Sequence, residues 1–265
     1  MKIKILFAGL LTLALFAAAH AQTPDKAELD RFFDRLAEKN KAMGSLVVAR
    51  DGKVLYSRAV GYSRISAAEK KPLTAATRFR VGSITKMFTA ALVLQLVEER
   101  KLKLTDTLDK FFPQIPNAGK ITIAQILAHR SGIHDITEDR DSRPSRTNPI
   151  TKDEMVAVIA KSKPDFEPDA KYAYSNSGYF LLGMLVEKLT GKSYGEALRK
   201  RITSKLGLKD TYAGTGSIDV NKNESFSYRY VRDWEQQPET HSSILFGSGA
   251  IISTPNDLVR FIQAL

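Results

Sequence analysis

The feature that most constrains this chain is the run from Met87 to Val97 (MFTAALVLQLV), apolar on nearly every side, with the segment Val81-Gly82-Ser83-Ile84-Thr85-Lys86 leading into it. A helix without a polar face must be enclosed by other elements, so the pattern predicts a central helix buried all round. Ser83 and Lys86 stand at its first turn, three residues apart and so on one face, which brings the Lys86 amine within reach of the Ser83 hydroxyl. A nucleophile then lies beside a base. Loss of water and the positive end of the helix dipole both disfavour a charged lysine there, lowering its pKa from a reference of about 10.4. The neutral amine can take the serine proton, while the Ser83 N–H, unpaired at the helix start, can bond an oxyanion. On these two residues alone, an N-capping Ser83 with a solvated Lys86 is the competing account. The apolar helix weighs against it, because an inward lysine needs a function.

The N-terminus reads MKIKILFAGLLTLALFAAAHA: Lys2 and Lys4, an apolar core from Ile5 to Ala19, then Ala19-His20-Ala21. This is the layout of a secretory signal cleaved before Gln22. Residues 1–21 are therefore expected to be a signal peptide and residues 22–265 a single domain in the periplasm or outside the cell. The apolar core is shorter than the ~20 residues a span needs, so no membrane span is expected once the signal is gone. Its loss takes the formal charge from +11 to +9. That excess suits anionic polymers or simple solubility; the basic residues are scattered and no nucleic-acid motif occurs, so no nucleic-acid partner is expected. The absence of cysteine excludes disulfides, thiolate metal sites and cysteine nucleophiles.

Further along, Thr23-Pro24-Asp25 opens a helix with Leu29, Phe32, Phe33 and Leu36 at helical spacing. Two strand-like runs, Ser45 to Arg50 and Lys53 to Val60, are joined by Asp51-Gly52, a strong hairpin signal. Two strands alone are marginal, so later strands are expected to complete the sheet. Helices are expected from Ile121 to Ala128 with Thr122 as N-cap, from Thr151 to Ala160, from Gly178 to Leu189, from Tyr194 to Leu206, and from Pro255 to the end. Ser131 to Pro149 reads as a long loop, and Leu245 to Ile252 as strand or tight loop.

A second motif is Tyr174-Ser175-Asn176, the one Y-x-N of the chain. A phenol can pass a proton to a leaving group, and a carboxamide can both donate to and accept from a substrate amide. By itself it reads first as a turn before a helix. With S-x-x-K ahead of it, the sequence resembles the serine β-lactamase and penicillin-binding-protein superfamily, in particular its class C-like branch of carboxypeptidases, esterases and amide hydrolases. Five segments carry the resemblance in one order: Phe79 to Lys86, Ile126 to Ile133 (ILAHRSGI), Tyr172 to Gly178, Leu206 to Thr211, and Gly247 to Asp257. It implies an α/β (α+β) fold, with an antiparallel sheet flanked by helices beside an all-helical lobe and the active site in the cleft. Ser83 would be the acylated nucleophile, Lys86 its activating partner, Tyr174 a proton shuttle and Asn176 the residue that orients the substrate amide. A small-molecule or cell-wall peptide substrate is implied, and no cofactor or metal.

The family's third motif, K-T-G or H-x-G on a later strand, is not found; Lys188-Leu189-Thr190-Gly191 has an extra residue and stands at a helix end. The expectation is a C-terminally incomplete copy, its sheet incomplete and its activity low, since one lost oxyanion donor costs about 3 to 4 kcal/mol. A noncatalytic penicillin- or peptidoglycan-binding or sensor module is the alternative function. An α/β-hydrolase is not expected, because the G-x-S-x-G elbow is absent. His129 and His134, five apart, do not share a helical face, so no metal site is expected there. Arg140, Arg143 and Arg146 are candidates to grip a carboxylate, or a solvated loop. Tyr230 and Trp234 either line the cleft or pack elsewhere.

Overall fold

The structure is a computed structural model that describes residues 24–139 and 144–265. The expected signal peptide, Arg140 and Arg143 lie outside those residues. The first helix, α1 (Lys26–Glu38), starts where the Asp25 carboxylate accepts from the N–H groups of Ala27 and Glu28. Strands β1 (Gly44–Arg50) and β2 (Lys53–Val60) form the expected antiparallel hairpin. Asp51 and Gly52 both take positive φ, 47° and 80°, as a tight two-residue turn between twisted strands requires. Helix α1 docks on this hairpin through Phe33 stacked on Tyr56 and through Arg58, which pairs with Asp30 and Asp34.

A second hairpin, β3 (Tyr62–Ile65) and β4 (Lys70–Pro72), leads to β5 (Phe79–Arg80). A 3-10 turn over Gly82–Ile84 then opens α2 (Thr85–Glu98). Phe88, Leu92, Val93 and Leu96 are fully enclosed, but the helix is not covered all round. Met87 and Leu94, seven residues and so two turns apart, are 39% and 49% exposed on one face. Helices α3 (Ile123–Leu127) and α4 (Lys152–Lys161) begin at capping boxes, Thr122 with Gln125 and Thr151 with Glu154. Helix α5 (Asn176–Thr190) starts two residues earlier than expected, capped by Ser175, and ends on Gly191 in the left-handed region.

The run from Tyr194 to Leu206 is not one helix. It divides into α6 (Tyr194–Leu198), a π turn over Arg199–Thr203 and α7 (Ser204–Leu206), before Gly207 at φ 65°. Then come β6 (Tyr212–Ala213), the hairpin β7 (Tyr228–Tyr230) and β8 (Trp234–Gln236), α8 (Ser242–Gly249), β9 (Ile251–Ser253) and α9 (Pro255–Gln263). Every named strand pair is antiparallel.

The late strand does not extend the first hairpin. Among the described residues β1 and β2 pair only with each other, and β9 is the centre of a separate sheet in the order β5-β9-β6. All three β9 residues are buried, whereas β1 is only half-buried along its length. An apolar strand gains more by entering the core than by pairing at that edge. The hairpin is instead held between α1 and α9.

The core gathers around α2, α5 and α8. The main chains of α5 and α8 meet at two glycines: a Cβ on Gly247 would fall 2.8 Å from the Gly183 Cα and from the Tyr179 carbonyl oxygen. Helix α8 is kinked there, Phe246 lying at φ 37°, ψ −124°. Among the described residues no helix is long and apolar enough to cross a membrane.

Candidate active site

The 3-10 turn leaves the Ser83 side chain exposed, and the following α-helical turn carries Lys86 inward, 6% exposed. The Lys86 Nζ donates to Asn176 Oδ1 and to the Ser248 carbonyl, each at 2.8 Å, and stands 3.5 Å from Ser83 Oγ. On the solvent side the Tyr174 hydroxyl donates to Ser83 Oγ at 2.6 Å. The Tyr174 ring covers the amine, its centroid 4.7 Å from Nζ. The three residues thus form one contiguous set. Burial pushes the Lys86 amine down to about 8, opposed by the nearby Asp135 carboxylate. A neutral amine keeps two hydrogens, enough for Asn176 and Ser248, and has its lone pair left for the Ser83 hydroxyl hydrogen.

Asn176 is fully engaged by the protein. Its Oδ1 accepts from Lys86, and its Nδ2 donates to Asp135 Oδ2 at 2.8 Å and to Thr137 Oγ1 at 3.0 Å. Both amide hydrogens are used, so in this arrangement the side chain bridges Lys86 to Asp135 and offers a substrate only the second lone pair of Oδ1. Asp135 is itself buried and also accepts from the Asn176 N–H, the Thr137 N–H and the Thr137 hydroxyl. A negative charge behind Asn176 therefore favours the protonated lysine. Replacing Asp135 by asparagine removes it. The Lys86 pKa should fall further, and the rise of acylation rate with pH, expected near 8 in the wild type, should move to lower pH; a pH–rate profile of the Asp135→Asn variant tests this.

His129 is the other neighbour that sequence reasoning passed over. Its ring stacks on Tyr174 at 4.6 Å between centroids, its Nδ1 accepts from the Ser175 N–H, and its carbonyl accepts from Ala173 N–H. Burial, and then the proximity of Lys86, hold its pKa below the usual histidine value. A neutral imidazole is what the Nδ1 acceptor role requires. His134 lies apart, its Nδ1 2.7 Å from Asp165 and its Nε2 2.9 Å from Asp139. The ILAHRSGI segment could have pointed to His129. Ser248 lies in the Gly247 to Asp257 segment of the resemblance, but what it contributes is a backbone carbonyl, which no residue pattern marks.

A cavity of about 260 Å³ opens beside Ser83, lined by Ile136, Thr137, Asn176, Ile244 and Leu245, with Pro144, Arg146 and Thr240 completing the wall. Tyr230 and Trp234 are not part of it. They pack against each other on the β7–β8 hairpin, and the Trp234 indole N–H donates to the Asn40 carbonyl.

The comparisons with known proteins agree with this geometry. Penicillin-binding protein 4* of Bacillus subtilis is 29% identical over 256 residues, which cover 91% of this chain and 56% of that protein. The D-alanyl-D-alanine-carboxypeptidase/endopeptidase AmpH of Escherichia coli is 27% identical over 275 residues, covering 99% and 69%. The chain thus spans little more than half of the first of these relatives. Among solved structures, a D-stereospecific amidohydrolase from Streptomyces sp. superposes with a TM-score of 0.74 at 31% identity, over 91% of this chain and 73% of the other. The family model described as Beta-lactamase matches residues 29–265, and on that match, with the S-x-x-K and Y-x-N residues meeting in one cleft, the chain belongs to the β-lactamase family.

Proposed function

We propose that the protein is a serine hydrolase that opens an amide or ester through an acyl-enzyme on Ser83, acting in the periplasm or outside the cell. The observation that carries this reading is the enclosed lysine: Lys86 is buried with two fixed acceptors, and its remaining valence faces Ser83 Oγ. As Oγ attacks the carbonyl carbon, Lys86 takes the hydroxyl proton and the Ser83 N–H bonds the developing oxyanion. The Tyr174 hydroxyl, bonded to Oγ, passes its proton to the departing nitrogen or oxygen and regains one from the Lys86 ammonium, which returns both groups to their starting state. Water then attacks the acyl-enzyme and frees Ser83. The names of the relatives, a D-alanyl-D-alanine carboxypeptidase and a D-stereospecific amidohydrolase, favour a D-configured amide or cell-wall peptide over a simple ester.

Mass spectrometry of the intact protein incubated with a fluorescent penicillin tests the nucleophile. One acyl adduct is expected on the wild type and none on Ser83→Ala. An adduct on both proteins would remove Ser83 from the role, and no adduct on either would count against an assembled acylation site. An adduct that forms and never clears would favour the sensor reading over the hydrolase.

A further inference from the structure

The cavity beside Ser83 has an uneven wall. Ile136, Pro144, Ile244 and Leu245 make it apolar, and among the described residues no acidic side chain lines it and one cation, Arg146, does. Several other arginines are paired with acids: Arg78 with Asp210, Arg130 with Asp169 and Arg201 with Glu99. Arg80, next to the cavity wall, lies 3.9 Å from Glu239. Among the described residues Arg146 has no carboxylate partner. It is nonetheless held in place. Its guanidinium donates to Thr240 Oγ1 at 3.0 Å, and its own carbonyl accepts from the His241 N–H at 2.7 Å. The Thr240 carbonyl is in turn fixed by Arg80. A guanidinium has five N–H donors in a planar fork suited to a carboxylate, and among the described residues one of them is used. Thr240 accepts through its oxygen and keeps its hydroxyl hydrogen to donate.

We propose that Arg146 and Thr240 form an anion subsite that selects substrates whose acyl portion is an apolar segment ending in a carboxylate. This rests on Ser83 being the acylated residue. The acyl side is favoured because the cavity is lined by Ser83, to which the acyl portion becomes bonded, and by Asn176, whereas Tyr174, which protonates the leaving group, is not among its lining residues. Apolar atoms of the substrate would contact Ile136, Ile244 and Leu245, and the terminal carboxylate would take two N–H groups of Arg146 and the Thr240 hydroxyl. A carboxylate in a pocket without a competing acid gains a charge-assisted bond that an uncharged analogue cannot form.

Two esters that differ only at the far end test the subsite: mono-4-nitrophenyl adipate, an anion, and methyl 4-nitrophenyl adipate, which is neutral. The ratio of kcat/KM for the anion to that for the neutral ester is expected to fall ~10-fold or more in Arg146→Gln, the size of one hydrogen bond to a charged group. Arg146→Lys should restore part of it. Binding to Ser83→Ala, followed by ligand-observed NMR with adipic acid monoamide against adipamide, reads the same preference without turnover. There the monoamide is expected to bind more tightly, and the difference should vanish when Arg146→Gln is added. If neither ester is turned over but the Arg146-dependent binding difference is present, the subsite stands and the hydrolase reading falls. If both esters are turned over with one ratio in wild type and Arg146→Gln, or binding ignores the charge, the subsite is overturned while the hydrolase reading remains.

Discussion

Replacing Lys86 by methionine is expected to slow acylation of Ser83 by ~10²- to 10⁴-fold, the usual contribution of a positioned general base. The methionine stem fills similar space, so the fold should persist. What is lost is the group that accepts the Ser83 proton, together with the titration that gates it. Wild-type acylation should climb as pH rises through about 8, where the buried amine becomes neutral, and the variant should show no such step. The same titration marks stability. The folded-state pKa of about 8 lies below the ordinary 10.5, so between these values the unfolded chain binds more protons and rising pH stabilises the fold. That slope should be missing from Lys86→Met. Stopped-flow acylation and denaturant melts across pH 7 to 11 measure both. A variant that acylates at the wild-type rate with the step intact would place the base elsewhere.

The second large effect is structural. Gly132 sits at φ 73°, and a Cβ there would lie 2.1 Å from the Phe166 carbonyl oxygen. Around it the segment from His129 to Gly132 is tied to the segment from Asp165 to Ala173 by three backbone hydrogen bonds: Asp165 N to Gly132 O, Asp169 N to Arg130 O, and Ala173 N to His129 O. Gly132→Ala therefore adds left-handed strain, about 1 to 2 kcal/mol, to an overlap of the kind that costs about 1 to 3 kcal/mol. The melting temperature should drop ~5 to 15 °C for a domain of this size. Acylation should weaken too, because Asp135 and Tyr174 hang from the two segments that would be pushed apart. Gly216→Ala, where nothing lies within 4 Å, is the control and should shift the midpoint by less than ~2 °C. Equal midpoints for the two variants would show that the loop yields without cost.

Much of the chemistry was legible because it is local. Ser83 and Lys86 are linked by one helical turn, and Tyr174 reached the site through a resemblance that spans the chain. The capping boxes at Thr122 and Thr151 and the turn at Asp51-Gly52 are short-range signals, and each element begins or ends where they place it. What the sequence withheld depends on distant packing. The pairing of β9 with β5 and β6 is decided by which surface buries Ile251 and Ile252, and no local pattern reports that. The break of the helix expected from Tyr194 to Leu206 into a π turn lacks a proline or glycine to announce it. Asn176 lines the cavity beside Ser83, but the hold of Asp135 and Thr137 on its amide, from partners some 40 positions away, has no local signal.

One acceptor for Lys86 is the carbonyl of Ser248, a group that every residue type possesses. What position 248 supplies to the lysine therefore does not depend on its side chain, which is buried with its hydroxyl donating to the Leu245 carbonyl. The demand falls instead on Gly183 and Gly247, whose bare backbones let α8 lie close enough to α5 to present that carbonyl. Neither glycine is a hydrogen-bond partner of the amine. Heritable variation in the activity of such a site would then collect at two residues without side chains, outside any inventory of reactive groups.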